Sequence, residues 1–126
     1  MTPQSILLIQ DDGAFQNSVL FNALSCMGMN VSEIQIADTN GFSDELLAAG
    51  WTLSQFDQVW DNRNGYVASD VITAFDQVEF NNYLAGGGSL FLTTDNSGFS
   101  RLGQVIDYLN AYINTGAPIA DATLDC

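Results

Sequence analysis

Short apolar runs and amphipathic stretches alternate along the chain. Residues 5–10, 31–36, 56–61 and 89–93 are apolar or alternating segments, which are typical of strands. Between them, apolar positions recur every three or four residues, which is the spacing of one helical face. This spacing predicts helices over 14–27, over 44–49 with Ser43 as its cap, over 73–85, and from a cap at Ser100 to about 113. Alternating strands and helices predict right-handed crossovers, and therefore a mostly parallel sheet with helices on both faces.

The third helix has the clearest boundaries. Thr73 and Asp76 have the Thr-x-x-Asp spacing of a helix N-terminus. The helix then continues through apolar positions that include Phe75 and Val78. The glycines at 86–88 end it, because each glycine inside a helix costs about 1 kcal/mol relative to alanine.

Length and composition favour one domain. The chain has 126 residues, of which 47% are hydrophobic, and this is enough for one core of ordinary size. We therefore expect a single α/β domain over residues 1–126, with residues 119–124 as a fifth, weaker strand. Cys26 falls in the helical, mostly apolar pattern of the first helix, which predicts a buried, inert thiol.

The charge is one-sided, and it excludes several functions. Fifteen acidic side chains accompany two arginines, with no lysine and no histidine, for a formal net charge of −13. Two cations cannot neutralise a phosphate backbone, so we expect no nucleic-acid binding. The missing histidine and lysine exclude histidine bases and ligands, Schiff bases and phosphate-loop lysines. No apolar run approaches the roughly 20 residues that cross a bilayer, so we expect no membrane insertion.

Polar residues follow three of the predicted strands, at the edge where open parallel sheets bind ligands. They are Asp11, Asp12 and Gly13 after the first strand, Asp61, Arg63 and Asn64 after the third, and Thr94, Asp95 and Asn96 after the fourth. Oxygen ligands of this kind suit Mg²⁺ or Ca²⁺, with Asp11, Asp12 and Asp61 as the candidate metal ligands. Two simpler alternatives are that the Asp and Asn residues form turns, and that Arg63 pairs with one of the acids.

Two of these segments have a counterpart in a known family. Residues 6–12 end in an acidic pair, and residues 56–61 end in Asp61. They resemble the first and third strands of response-regulator receiver domains. The resemblance implies that Asp11 and Asp12 bind Mg²⁺, that Asp61 accepts a phosphoryl group, and that Thr93 or Thr94 is the hydroxyl switch. The family's lysine has no counterpart here, which implies a degenerate receiver.

A second resemblance covers residues 5–113 and is carried by segments 7–13, 53–60 and 72–92. It is to the glutamine-amidotransferase-like, flavodoxin-like modules of large secreted bacterial proteins. It implies a three-layer flavodoxin-like fold with about five strands in the order 2-1-3-4-5. True amidotransferases place a cysteine nucleophile after the strand that corresponds to residues 89–93 and use a downstream histidine. This chain has Thr94 and Asp95 in that region and no histidine.

The second resemblance, together with the missing histidine and lysine, implies a non-catalytic accessory module of an extracellular bacterial protein. The expected partners are another protein or further copies of the chain, with a glycan or a divalent cation as other candidates. The secreted location follows from the second resemblance alone, because the N-terminus shows no signal peptide. The alternative is a degenerate, cytoplasmic receiver-like signalling domain that binds Mg²⁺. An enzyme that uses only Asp, Ser, Thr or Tyr is the weakest hypothesis, because nothing in the sequence fixes the separation of a carboxylate pair.

Overall fold

The computed structural model describes residues 2–11, 17–37, 39–63, 72–94 and 100–113. Strands and helices alternate within them, as the sequence predicts. In chain order they are β1 (Ser5–Asp11), α1 (Asn17–Cys26), β2 (Asn30–Ile36), α2 (Ser43–Ala49), a 3₁₀ helix (Leu53–Gln55), β3 (Gln58–Asp61), α3 (Ala74–Ala85), β4 (Ser89–Leu92) and α4 (Ser100–Ile113).

The strands form one parallel sheet in the order β2-β1-β3-β4. Ile9 in β1 pairs with Ile34 in β2 and with Asp61 in β3, and Asp61 pairs in turn with Leu92 in β4. The order agrees with the first four strands of the predicted 2-1-3-4-5 sheet. The predicted fifth strand, residues 119–124, lies outside the described residues.

Helices lie on both sides of the sheet. Alternate side chains of a strand point to opposite faces, so the buried residues of β1 show which helices cover each face. On one side, Leu7 and Ile9 of β1 belong to a buried cluster with residues of α2, α3 and α4. On the other side, Ile6 and Leu8 are also fully buried. There α1 contacts β1 and β2 and buries Leu24. We call these the α2–α4 side and the α1 side.

Both ends of α3 confirm the prediction. Thr73 is the N-cap, and its Oγ1 accepts a hydrogen bond from Asp76 N at 3.1 Å. Asp76 Oδ2 accepts one from Thr73 N at 3.2 Å, which completes a capping box. The helix ends at Ala85, directly before the three glycines.

The start of α2 differs from the prediction. Its N-cap is Phe42 rather than Ser43, and no side chain of its own segment caps it. Asp76 Oδ1, from α3, accepts the Phe42 N–H at 3.0 Å. A residue 34 positions away therefore binds the N–H of the cap residue, and local sequence cannot reveal this.

The buried face of α3 also differs from the expected one. Phe75 and Val78 are 53% and 54% exposed, whereas Asp76, Phe80 and Tyr83 are buried. These three positions follow the i, i+4, i+7 spacing of one helical face, so the polar Asp76 shares the face that enters the core. The prediction for Cys26 was wrong as well, because its side chain is exposed.

Candidate functional site at the carboxyl edge of the sheet

Asp61 is the last residue of β3, and its side chain is completely buried. Arg63 Nε donates to Asp61 Oδ1 at 2.8 Å, and Arg63 Nη2 donates to Oδ2 at 2.7 Å. Arg101 Nη2 lies 2.9 Å from Oδ1 as a second ion pair. Both oxygens of Asp61 are therefore engaged by guanidinium groups, and one pair has the two-pronged geometry that arginine favours with carboxylates.

Asp76 is the second carboxylate of this buried group. Arg63 Nη2 lies 3.3 Å from its Oδ2, and neither side chain has exposed surface. Gly41 packs directly on it: a Cβ at this glycine would overlap the Asp76 carboxylate and lie 2.7 Å from Thr73 Oγ1. Gly41 also has a φ of +85°, which other residues rarely adopt. The turn before α2 is therefore built around the Asp76 carboxylate.

Arg101 ties the start of α4 to the ends of two strands. Its Nε donates to the Thr93 carbonyl at 2.9 Å, just after β4. The Thr93 N–H in turn donates to the Asp61 carbonyl at 3.0 Å. Arg101 is completely buried, so these contacts replace its hydration.

The electrostatics of the network follow from burial and pairing. Burial alone would raise the pKa of the Asp61 carboxyl, but the charges and hydrogen bonds of Arg63 and Arg101 outweigh it and lower the pKa to about 2. Burial also opposes charge on Arg63, yet Asp61 and Asp76 raise its pKa above the usual arginine value. Burial raises the pKa of Asp76, because Arg63 and the N–H groups of Phe42 and Thr73 offset only part of its cost. Asp61 is thus the firmly ionised member of the network.

The network uses both cationic side chains of the chain. Among the residues that the structure describes, every charged side chain with exposed surface is therefore acidic. They are Glu33, Asp44, Glu45, Asp57, Glu79 and Asp107. The protein surface is anionic because the arginines are buried, and not only because acids are numerous.

The structure describes four of the nine residues predicted at this edge: Asp11, Asp61, Arg63 and Thr94. Asp11 is 1% exposed and lies on the same side of the sheet as Asp61. Thr94 is half-buried at the edge. The pairing of Arg63 with an acid, one of the predicted alternatives, is confirmed, although the pair is buried rather than exposed.

The remaining five, Asp12, Gly13, Asn64, Asp95 and Asn96, lie outside the described residues. Within the described ranges, no group of three or more His, Cys, Asp or Glu side chains could hold a metal. The site of Asp11, Asp12 and Asp61 therefore stays a prediction. Two guanidinium groups on Asp61 oppose a cation there by like-charge repulsion.

Sequence reasoning missed Arg101 and the second role of Asp76. One signal was available for Arg101, which stands in the first turn of a predicted helix. The positive end of the helix dipole disfavours a cation there. An arginine at this position indicates a strong local partner. Asp76 gave no such signal, because its role as a capping residue already explained it.

A second polar network lies at the same edge on the α1 side. Gln10 is fully buried; its Nε2 donates to Glu33 Oε2 at 2.6 Å, and its Oε1 accepts from Asn62 Nδ2 at 3.3 Å. Thr93 Oγ1 donates to Asn62 Oδ1 at 3.1 Å. Gln35 Nε2 donates to the other oxygen of Glu33 at 2.7 Å. This series of hydrogen bonds crosses the sheet from β2 to the end of β4. The side chains in it bind one another.

No family model, no curated protein and no solved structure matches this chain. None of the helices in the described residues is both long and apolar enough to cross a membrane.

Proposed function

We propose that this chain is a non-catalytic binding module whose anionic surface contacts cationic groups. The observation that carries the proposal is the burial of both arginines on Asp61. This burial supports a structural role for Asp61. An enzymatic or phosphotransfer function would need the same carboxylate. The burial also supports a surface that attracts cations and repels anions.

The geometry favours this function over the receiver-like alternative. Phosphoryl transfer to Asp61 needs a carboxylate oxygen that is free to attack, beside a bound Mg²⁺. Both Asp61 oxygens lie within 2.9 Å of a guanidinium nitrogen, and the side chain has no exposed surface. Attack would require at least one of these buried ion pairs to break, which is costly inside a protein.

The partner class follows from the charge of the surface. A basic protein segment or a divalent cation gains from the carboxylates of α2, α3 and α4, whereas a nucleic acid or an anionic sugar is repelled. The extracellular location and the link to larger bacterial proteins stay predictions from resemblance.

Phosphorylation tests the non-catalytic part of the proposal. The protein is incubated with acetyl phosphate and Mg²⁺ and analysed by intact-mass and peptide mass spectrometry, with an active receiver domain treated in parallel. We expect no phosphoryl adduct on Asp61 while the receiver domain is labelled. An adduct on Asp61 would overturn the proposal.

Peptide binding tests the surface part. Fluorescent lysine and glutamate decapeptides serve as probes in an anisotropy titration at low and high salt. We expect the lysine peptide alone to bind, more weakly at high salt because screening shortens electrostatic range. Equal binding of both peptides, or none of the lysine peptide at low salt, would contradict an electrostatic contact surface.

A further inference from the structure

Helix α1 differs from the other described α-helices in carrying no charged residue. Its ten residues are Asn-Ser-Val-Leu-Phe-Asn-Ala-Leu-Ser-Cys, in a chain with fifteen acids. The helices of the α2–α4 side carry Asp44, Glu45, Glu79 and Asp107 with exposed or half-exposed side chains. A surface helix normally places charged or polar residues on its outer face, so an uncharged α1 is a departure that needs an explanation.

The outer face of α1 carries an apolar stripe beside the exposed, uncharged Asn22 and Ser25. Val19 is 66% exposed, and Met27, directly after the helix, is 70% exposed. Ala23 and Cys26 are exposed between them, so these positions recur at the three- and four-residue spacing of one stripe. Leu24 is buried on the opposite face against the sheet. The exposed stripe is therefore separate from the face by which α1 packs on the sheet.

A second group of apolar side chains lies on the sheet, on the same side as α1. Leu8, under α1, pairs in register with Trp60, and Trp60 pairs with Phe91, so the two aromatic side chains lie on the α1 side. Their rings stack with centroids 4.6 Å apart, and Phe91 is 45% exposed. Asn62 joins α1 residues Val19, Leu20 and Ala23 around a cavity of about 290 Å³. Exposed apolar side chains on both α1 and the sheet are typical of an interaction surface.

Charge separates the possible occupants of this surface. Among the strands and helices described, the α1 side carries one charged side chain, Glu33, and its two oxygens accept amide N–H groups from Gln10 and Gln35. Among the described helices, the carboxylates that a basic partner would contact therefore lie on the α2–α4 side. Two copies of the chain, each with a net charge of −13, repel each other through every acidic face. They repel least when the α1 sides meet, because the acidic helices then point away from one another.

The geometry points to the α1 side as the contact between two copies of this chain, centred on the Val19 stripe and the Trp60–Phe91 pair. In a two-fold dimer each copy contributes the same surface to the interface, so apolar residues of one copy contact apolar residues of the other. This inference does not depend on the cationic ligand proposed above, since that ligand would contact the other side.

A matched pair of substitutions tests the contact. Val19 in α1 and Val78 in α3 are both exposed helical valines, 66% and 54%, on opposite sides of the sheet. Val19→Asp and Val78→Asp thus add the same charge to each side. Aspartate near the start of α1 is favourable for the helix, so loss of association would not reflect loss of α1. Urea unfolding checks that both variants remain folded.

Sedimentation velocity over a range of protein concentrations, at moderate and high salt, gives the dimer dissociation constant. We expect the wild type to dimerise, more tightly at high salt. Val19→Asp should raise the dissociation constant at least about tenfold, equivalent to ~1.4 kcal/mol, and Val78→Asp should change it much less. A monomeric wild type at all concentrations would overturn the inference, and so would a dimer that Val78→Asp weakens as much as Val19→Asp does.

Discussion

Arg101 pairs with Asp61 across 40 positions of the chain, with its Nη2 2.9 Å from the Asp61 Oδ1. The contact joins the start of α4 to the end of β3. Arg63, two residues after Asp61, binds the same carboxylate and also contacts Asp76 at the start of α3. One strand-end carboxylate therefore organises the carboxyl edge of the sheet.

Removing the charge of Asp61 is expected to destabilise the fold strongly. Asp61→Asn keeps the size of the side chain but leaves two buried guanidinium groups with too little negative charge. Breaking one partner of a buried ion pair typically costs about 3–5 kcal/mol. Urea unfolding followed by circular dichroism measures the loss.

Asp107→Asn is the matched control, because Asp107 is an exposed aspartate of α4. Its free energy of unfolding should stay within about 0.5 kcal/mol of the wild type. If both variants were equally stable, Asp61 would not hold the network together.

The stability difference between wild type and Asp61→Asn is expected to depend on pH. The pKa of Asp61 is about 2 in the folded protein, against 3.8 for the ordinary side chain. Its ionised form therefore stabilises the fold fully above about pH 4, and the contribution is lost as the pH falls towards 2. The raised pKa of Asp76 acts in the opposite direction, since its protonation favours the folded state. Both proteins share most of this effect, because the Asp61 charge, which Asp61→Asn removes, is the smallest of its causes.

Urea titrations at several pH values isolate this contribution. The difference in unfolding free energy should be constant from neutral pH to about pH 4.5 and shrink below about pH 4. A difference that instead grows on acidification would contradict an ionised, paired Asp61.

Gly41 is expected to tolerate substitution less well than another glycine with the same backbone angle. Gly41 and Gly28 have φ values of 85° and 84°, but only Gly41 packs against the Asp76 carboxylate, whereas a Cβ at Gly28 would meet nothing within 4 Å. Gly28→Ala should cost the left-handed penalty of roughly 1–2 kcal/mol. Gly41→Ala should cost at least ~1 kcal/mol more. Thermal unfolding of the two variants decides, and equal costs would refute the close packing.

Local patterns were enough to predict most of the fold. The alternation of elements, the Thr73–Asp76 capping box and the end of α3 before its glycines all depend on residues within one turn of each other. The order of the four strands agrees with the one that the flavodoxin-like resemblance implies, whereas the local patterns predict only a mostly parallel sheet.

The network at Asp61 could not be predicted, because its members come from separate elements. The sequence indicated that Asp61 and Arg63 lie at one edge, but Arg101 joins them only through the packing of α4. The exposed Phe75 has the same origin: Asp76 must face the core to reach Arg63, and this turns the neighbouring residue outward.

Salt is expected to stabilise the protein. The exposed charges of the described residues are all acidic, so screening relieves their mutual repulsion. The buried pairs of Asp61 are shielded from solvent and should change little. Raising NaCl from about 0.05 M to about 0.5 M should raise the melting temperature, and a fall would contradict this distribution of charge.

Any specific effect of Mg²⁺ or Ca²⁺ at the carboxyl edge is expected to depend on Asp11 rather than Asp61. The guanidinium groups already occupy the Asp61 oxygens. Melting temperatures are compared with each divalent salt and with NaCl of equal ionic strength. Asp11→Asn should remove the extra stabilisation that the divalent ion gives, and Asp61→Asn should reduce that increment much less. A wild type without any extra stabilisation would contradict a cation site at this edge.

The ionisation of Asp61 itself gives the most direct test of its structural role. Carbon-detected NMR can follow the Asp61 carboxyl signal during an acid titration, with and without Mg²⁺. We expect the signal to stay constant down to about pH 3, to titrate near pH 2, and to be unaffected by Mg²⁺. A signal that titrates near pH 4, or that moves when Mg²⁺ is added, would show an accessible carboxylate and contradict the buried pairing with Arg63 and Arg101.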